Sequence, residues 1–313
     1  MRALVTGGAG FIGSTLAELL LADGADVVAL DCFADYYPRA LKERNLAAAK
    51  RHPGFRIIES RIQDVDLRSL LADRTHVFHL AAQAGVRKSW GRDFSVYTTD
   101  NVEATQVLLE ACVGLPLERV VYASSSSVYG DDVPMPMRED ARPQPVSPYG
   151  VTKLAAEHLC HLYYISERVP TVSLRYFTVY GPRQRPDMGF HKFLRATLLD
   201  QPITIYGDGG QTRDFTFVHD AVAATVAAAV RGIPGRVYNI GGGSRVSITE
   251  VLDMIGRVSG RRPRVTVDSA QKGDMRHTCA DTSLARMDLG FVPRVGLEEG
   301  LAAEHAWLAE MLS

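Results

Sequence analysis

A chain of 313 residues, 46% hydrophobic and 23% charged, has the composition of an ordinary globular protein and suits one broad α/β unit or two closely packed lobes. The formal net charge of −1 gives no electrostatic case for nucleic acid or an anionic membrane as partner, and no apolar run approaches the roughly 20 residues of a membrane span. Cys32, Cys112, Cys160 and Cys279 are scattered, with no CxxC and no His cluster at metal spacing. They read as reduced structural thiols in a cytoplasmic protein that holds no metal. Met1 leads straight into a predicted strand, so no signal peptide is expected.

Arg2–Thr6 (R-A-L-V-T) reads as that strand. It runs into the glycine turn Gly7–Gly13, followed by a helix from Ser14 to about Asp23 and a second strand, Val27–Asp31. Each part of this β-turn-α-β unit has a use in binding a dinucleotide. Gly7 allows the tight turn, Gly10 lets the backbone approach a pyrophosphate, and Gly13 permits close packing of helix on strand. The helix N-terminus offers free N–H groups and a partial positive charge to the phosphates. Asp31 accepts from the ribose hydroxyls and repels a 2′-phosphate, which favours NAD over NADP.

A polar-aromatic loop (D-C-F-A-D-Y-Y-P), a helix carrying Leu41, Leu46 and Ala49, and a third strand, Phe55–Glu59, come next. Asp64 and Val65 are expected to open the following helix near the adenine, with Asp64 fit to cap it. The fourth strand, His76–Ala81, ends in a small-residue run through Ala82 and Gln83 that lets a flat cofactor pass close. A helix with Val102, Leu108 and Leu109 leads to a fifth strand, Arg119–Ala123, ending in Ser124–Ser127 on the same side as the glycine turn.

Pro148 marks a helix start. Leu154, Ala155, Ala156, Leu159 and Leu162 continue at helical spacing, so Tyr149 and Lys153 lie one turn apart on one face. A neighbouring ammonium favours the phenolate, and such a pair can serve as a general base near neutral pH. Thr171–Tyr176 is a sixth strand. The β-α alternation up to this point predicts an α/β, Rossmann-type, doubly wound parallel sheet over residues 1–180. Past Gly181 the rhythm changes. A basic loop (R-Q-R-P-D-M) is followed by strands at Ile203–Tyr206, Phe215–Val218 and Val237–Ile240, a helix from Asp220, and a helix at Ser247–Val258. Residues 181–313 are expected to form mainly a smaller substrate-binding lobe, with some chain returning to the first.

Glycine turn, serine strand end and Y-x-x-x-K, in that order, resemble the extended short-chain dehydrogenase/reductase family. Within it, H-L-A-A-Q, V-Y-A-S-S-S-S-V-Y-G, S-P-Y-G-V-T-K and G-D-M-R-H-T-C-A-D resemble nucleotide-sugar epimerases and dehydratases. Three stretches, D-C-F-A-D-Y-Y, A-A-Q-A-G-V-R and G-P-R-Q-R-P-D-M, are most similar to UDP-glucuronate 4-epimerases. The resemblance implies catalysis by Ser125, Tyr149 and Lys153. It implies NAD contacts at Gly7, Gly10, Phe11, Ile12, Gly13, Asp31, Asp64, Val65, Ala81, Ala82, Gln83, Tyr149, Lys153 and Tyr176. It implies UDP-sugar contacts at Arg87, Ser125, Ser126, Ser127, Tyr149, Thr178, Arg185, Arg213 and Arg276, and a homodimer built on the helices after Gly91 and Tyr149. Thr178 stands where hexose epimerases usually carry Asn.

Related dehydratases carry Asp-Glu, and related decarboxylases a Glu, where this chain has Ser126 and Ser127. Oxidation machinery without those acids favours an enzyme that oxidises carbon 4 of the sugar and reduces it again. UDP-glucuronate is the expected substrate, through a transient 4-ketone, with Arg185 as the expected reader of its carboxylate and Arg183 as competitor. A 4-epimerase for UDP-glucose or UDP-N-acetylglucosamine, a UDP-glucuronate decarboxylase and a silent NAD-binding regulator are the alternatives.

Overall fold

The computed structural model describes residues 1–269 and 273–313. In chain order its strands are β1 (Arg2–Thr6), β2 (Asp26–Asp31), β3 (Phe55–Glu59), β4 (His76–His79), β5 (Arg119–Ser125), β6 (Thr171–Tyr176), β7 (Val179–Tyr180), β8 (Pro202–Tyr206), β9 (Thr212–Asp214), β10 (Thr216–Phe217), β11 (Val237–Ile240), β12 (Arg245–Ser247) and β13 (Arg264–Asp268). Seven of them form one sheet in the order β11-β6-β5-β4-β1-β2-β3, and every pairing in it is parallel.

A parallel sheet is covered on both faces, so its strands, the edge strand β3 excepted, are buried nearly throughout. Alternate residues supply opposite layers. Ala3 and Val5 pack with the helices Phe11–Ala22 and Val218–Arg231, whereas Leu4, Val77 and Val120 pack with Ala104–Cys112 and Pro148–Glu167. The chain first winds outward from β1 to β3, then crosses back to lay down β4, β5, β6 and β11 on the other side. This is a Rossmann-type doubly wound sheet. The reversal between β1 and β4 opens a crevice at the carboxyl ends of the strands.

Small strand pairs stand over that crevice. β8 pairs with β13 in parallel, β12 with β9 antiparallel, and β10 with β7 in parallel. The helix Ile248–Ser259 starts with a reciprocal Ser247–Glu250 capping box. The closing helix, Leu297–Leu312, packs on it and on Gly189–Leu198.

Several boundaries differ from the sequence expectation, each for a local reason. The first helix begins at Phe11 rather than Ser14, because the turn ends at Gly10, its N-cap. Asp64 and Val65 do not open a helix: Ile62–Asp64 is a 3₁₀ turn, and the helix begins at Leu67. Its cap is Asp66, whose Oδ1 accepts from the Ser69 amide at 3.1 Å. Of the run expected as one strand at Phe215–Val218 only Thr216–Phe217 is strand (β10), and the next helix starts at Val218, not Asp220. Among the described residues no helix is long and apolar enough to cross a membrane.

Candidate active site

The helix Pro148–Glu167 carries the centre of the site. Ser147 caps it, its hydroxyl accepting from the Gly150 amide at 3.1 Å, and Pro148 fills the first turn. Tyr149, Lys153 and Glu157 then recur on one face. Lys153 is buried, and its Nζ sits 4.5 Å from the ring centroid of Tyr122, a buried residue of β5. Behind it, His79 is held through both ring nitrogens, to Thr6 Oγ1 at 2.7 Å and Thr105 Oγ1 at 2.9 Å. Burial, and then the charge of Lys153, lower the His79 pKa to about 3, so this ring is neutral.

Burial also lowers Lys153 to about 7, against weaker upward pulls from Cys160 and Glu157. Tyr149 is raised above the ordinary phenol value by desolvation, while a hydrogen bond with Ser125 and the charge of Arg185 pull it down. The expected direct lowering of Tyr149 by Lys153 is therefore not what this site shows. Loss of water dominates at Tyr149, and the favourable charge comes from Arg185.

The serine strand end does not present four equivalent hydroxyls. β5 extends through Ser125, and Ser126–Val128 form a 3₁₀ turn. Ser124, although it too lines the cavity, has its Oγ engaged, donating to Glu157 Oε2 at 2.7 Å. Ser125 Oγ accepts from the Ser127 amide at 3.1 Å. Glu157 is also paired with Arg175 of β6 (Nη2–Oε1 2.6 Å, Nε–Oε2 3.1 Å) in a fully buried ion pair. Strand end and helix are thus joined one turn beyond Lys153.

Ser125, Tyr149 and Lys153 face a cavity of about 1080 Å³. Its walls include Gly7, Gly10, Phe11, Ile12, Gly13, Asp31, Ala81, Ala82, Gln83, Tyr149, Lys153 and Tyr176, and also Arg87, Ser125, Ser126, Ser127, Thr178, Arg185 and Arg213. Asp64, Val65 and Arg276 are not among its lining residues, whereas Arg61, Ile62 and Gln63 are. Gly7 has φ +70°, and a Cβ there would lie 2.8 Å from the Ala81 amide nitrogen; one on Gly13 would lie 2.2 Å from the Gly7 carbonyl oxygen. No side chain caps the helix that starts at Phe11, so its N–H groups open into the cavity.

Asp31 is oriented by the amides of Ala9 (3.1 Å) and Phe33 (2.8 Å). Lys42, which sequence reasoning missed, lines the same corner with Nζ 3.8 Å from Asp31 Oδ1. It sits in a short helix that reads as a surface element.

At the other end, Arg185 pairs bidentately with Asp187 (2.9 and 3.0 Å). Burial alone would lower its pKa, but that partner holds it above the ordinary guanidinium value. Arg183 points elsewhere: it bonds Glu18 at 2.8 Å and does not line the cavity. Arg87 pairs with Asp274 at 2.6 Å and stacks 4.3 Å from the Tyr206 ring centroid. Arg213 bonds the carbonyls of Thr212 (2.9 Å) and Arg276 (3.1 Å), and burial lowers its pKa. Arg276 is exposed and paired with Asp208 at 2.8 Å.

A Rossmann-type sheet that delivers a glycine turn, a strand-end carboxylate and a Tyr–Lys helix to one crevice defines an enzyme of the extended short-chain dehydrogenase/reductase type. The chain belongs to the NAD dependent epimerase/dehydratase family, which it matches over residues 3–241. It is 44% identical to the Bacillus subtilis protein named "Uncharacterized UDP-glucose epimerase YtcB", over 99% of both chains. It is 36% identical to a "Probable UDP-glucuronate 4-epimerase" of Rhizobium meliloti, over 98% of this chain and 96% of that one. The crystal structure of UDP-glucuronic acid 4-epimerase from Bacillus cereus, in complex with UDP-glucuronic acid and NAD, superposes with a TM-score of 0.97 at 45% identity, over 99% of this chain and 100% of that one.

Proposed function

We propose that this protein is an NAD-dependent 4-epimerase that interconverts UDP-glucuronate and UDP-galacturonate. The observation that carries the substrate choice is Arg185, a cavity-lining guanidinium within electrostatic reach of Tyr149. A uronic acid presents a carboxylate near the reacting carbon, and a neutral hexose does not. The likeness to the Bacillus cereus enzyme supports the same choice.

The residues present fit NAD. Uncapped N–H groups at Phe11, Ile12 and Gly13 suit its pyrophosphate, and the glycines of the turn leave the backbone bare there. Asp31 suits the adenosine ribose, and Lys153 with Tyr149 the nicotinamide ribose. Bound NAD supplies oxidation and then reduction at sugar carbon 4, so the sugar passes through a 4-ketone.

Tyr149 takes the proton from the 4-hydroxyl and later returns it. Ser125, in hydrogen-bonding contact with that phenol, positions the same oxygen. Lys153 supplies positive charge beneath the pair. Ser126 and Ser127 offer the ketone no acid or base for elimination or decarboxylation, and their hydroxyls can donate to the carboxylate beside Arg185. Arg213, on the cavity wall, grips the diphosphate, so the sugar can turn while the distant half stays fixed. Thr178 lines the sugar end and Arg87 the mouth.

The second reading is a 4-epimerase for neutral UDP-hexoses. Asp187 favours it, since that carboxylate already engages Nε and Nη2 of Arg185. Kinetics of Arg185→Ala with UDP-glucuronate and UDP-glucose separate the two. Truncating one partner of a desolvated charge pair costs roughly 2–5 kcal/mol, so KM for UDP-glucuronate should rise strongly and UDP-glucose binding change little. Equal losses for both sugars would favour the neutral substrate.

The four cysteines are unpaired, as in a cytoplasmic protein. Phe94 and Val96, after Gly91, and Val151, Leu162 and Ile165, on the Tyr149 helix, are exposed apolar side chains suited to a homodimer interface.

A further inference from the structure

The three stretches most similar to UDP-glucuronate 4-epimerases lie far apart in sequence and meet at one point. Tyr36 belongs to D-C-F-A-D-Y-Y, Gly85 to A-A-Q-A-G-V-R, and Arg185 with Asp187 to G-P-R-Q-R-P-D-M. The Tyr36 hydroxyl donates to Asp187 Oδ2 at 3.2 Å. The same carboxylate takes Nε and Nη2 of Arg185 at 2.9 and 3.0 Å. The guanidinium lies 5.8 Å from the Tyr36 ring centroid. Gly85 has φ +106°, and a Cβ on it would stand 2.4 Å from the Tyr36 hydroxyl. All four residues line the cavity.

We propose that Tyr36 and Asp187 form a bracket that holds the Arg185 guanidinium in place for a substrate carboxylate, and that Gly85 is glycine because the Tyr36 hydroxyl occupies the space of its side chain. The proposal rests on the reading of Arg185 as the group that recognises the acid. An arginine loses considerable side-chain freedom when it is fixed, and fixing it before binding removes that cost from the binding step. The bracket engages one edge of the guanidinium, Nε and Nη2. No described residue accepts a hydrogen bond from Nη1, which stays available to a ligand. The charges suit this arrangement. Burial alone would raise Asp187, but the hydrogen bond and charge of Arg185 hold it below the usual carboxylate range. Tyr36 is raised by burial and by the charge of Asp187, so it remains a neutral donor.

Tyr36 and Asp187 are positioning residues, and their signature is coupling through Arg185. The test measures Kd by calorimetry for UDP-glucuronate and for UDP-glucose, with NAD bound, in a Tyr149→Phe background that cannot turn either over. Tyr36→Phe removes one oxygen and should weaken UDP-glucuronate about tenfold, in line with loss of a hydrogen bond to a charged group, with UDP-glucose unchanged. Gly85→Ala should give the same acid-selective loss, and a smaller one once Tyr36→Phe has made room. In an Arg185→Ala background, Tyr36→Phe should have no effect on either sugar. Equal weakening of both sugars by Tyr36→Phe, or a full loss that persists without Arg185, would overturn the bracket while leaving Arg185 as the acid reader. An Arg185→Ala protein that keeps its preference for the acid would overturn that reading, and the bracket with it.

Discussion

At Tyr149 and Lys153 the same burial acts on two groups of opposite charge type. It raises the phenol and lowers the ammonium to about 7, so both neutral forms are favoured in the cofactor-free protein. The consequence for stability has a definite sign. Lys153 has its folded pKa below the ordinary 10.5, so between about 7 and 10.5 the unfolded chain binds the extra proton. Its contribution is fully favourable above the upper value and is lost as pH falls through the lower one. Lys153→Met should therefore raise the Tm of the cofactor-free protein at pH 6 and change it little at pH 10. An equal change at both values in thermal melts would show that Lys153 is not strained by burial. Tyr149→Phe should keep NAD and UDP-sugar affinity and abolish turnover, because only the ionisable oxygen is lost; retention of most of kcat would remove Tyr149 from the chemistry. Asp31 makes a third case. With Lys42 Nζ 3.8 Å away, Asp31→Ala leaves a buried cation unopposed where a 2′-phosphate would sit. NAD should bind roughly tenfold or more weakly, as for a lost charged hydrogen bond, and NADP more tightly. Unchanged NAD affinity in a titration would refute the ribose assignment.

Elements are held in register at the site by a buried pair. Glu157, on the helix of Tyr149 and Lys153, joins Arg175 of β6 and Ser124 of β5, next to Ser125. Glu157→Gln leaves Arg175 without its counter-charge and should cost about 3–5 kcal/mol. Urea unfolding checks this, and a cost under about 1 kcal/mol would mean that the pair does not hold strand and helix together. The Tyr149 helix was legible because its signals are local: Pro148, the apolar spacing and the four-residue step. β1, β3 and β6 were legible to the residue, since each is a short run rich in strand-forming residues, with Gly7, Gly54 or Pro170 at one end. The start of the third helix was misread because D-V-D-L-R-S offers two acidic caps, and only the contact of Asp66 with Ser69 decides between them. The partner of Glu157 could not be read, because a contact between helix and strand leaves no period in the sequence.

Across the whole molecule, the sheet reversal between β1 and β4 gathers residues from nearly the full chain around one cavity. Sequence order and glycine chemistry were enough to anticipate that crevice and most of its wall. They did not anticipate which cations are already engaged. Arg183 turns to Glu18 and Arg87 to Asp274, partners brought in by tertiary packing, while Arg185 pairs with Asp187 two residues on in its own loop. Because Ser126 and Ser127 supply no acid, oxidation at carbon 4 should lead back to a sugar and not onward to elimination or loss of carbon dioxide. The most direct measurement is to incubate the purified protein with NAD and UDP-glucuronate carrying deuterium at carbon 4, and to follow the nucleotide sugar by NMR. The expected result is UDP-galacturonate that retains its deuterium at carbon 4, without carbon dioxide release. Unchanged UDP-glucuronate alongside active epimerisation of UDP-glucose, or conversion to a UDP-pentose, would contradict it.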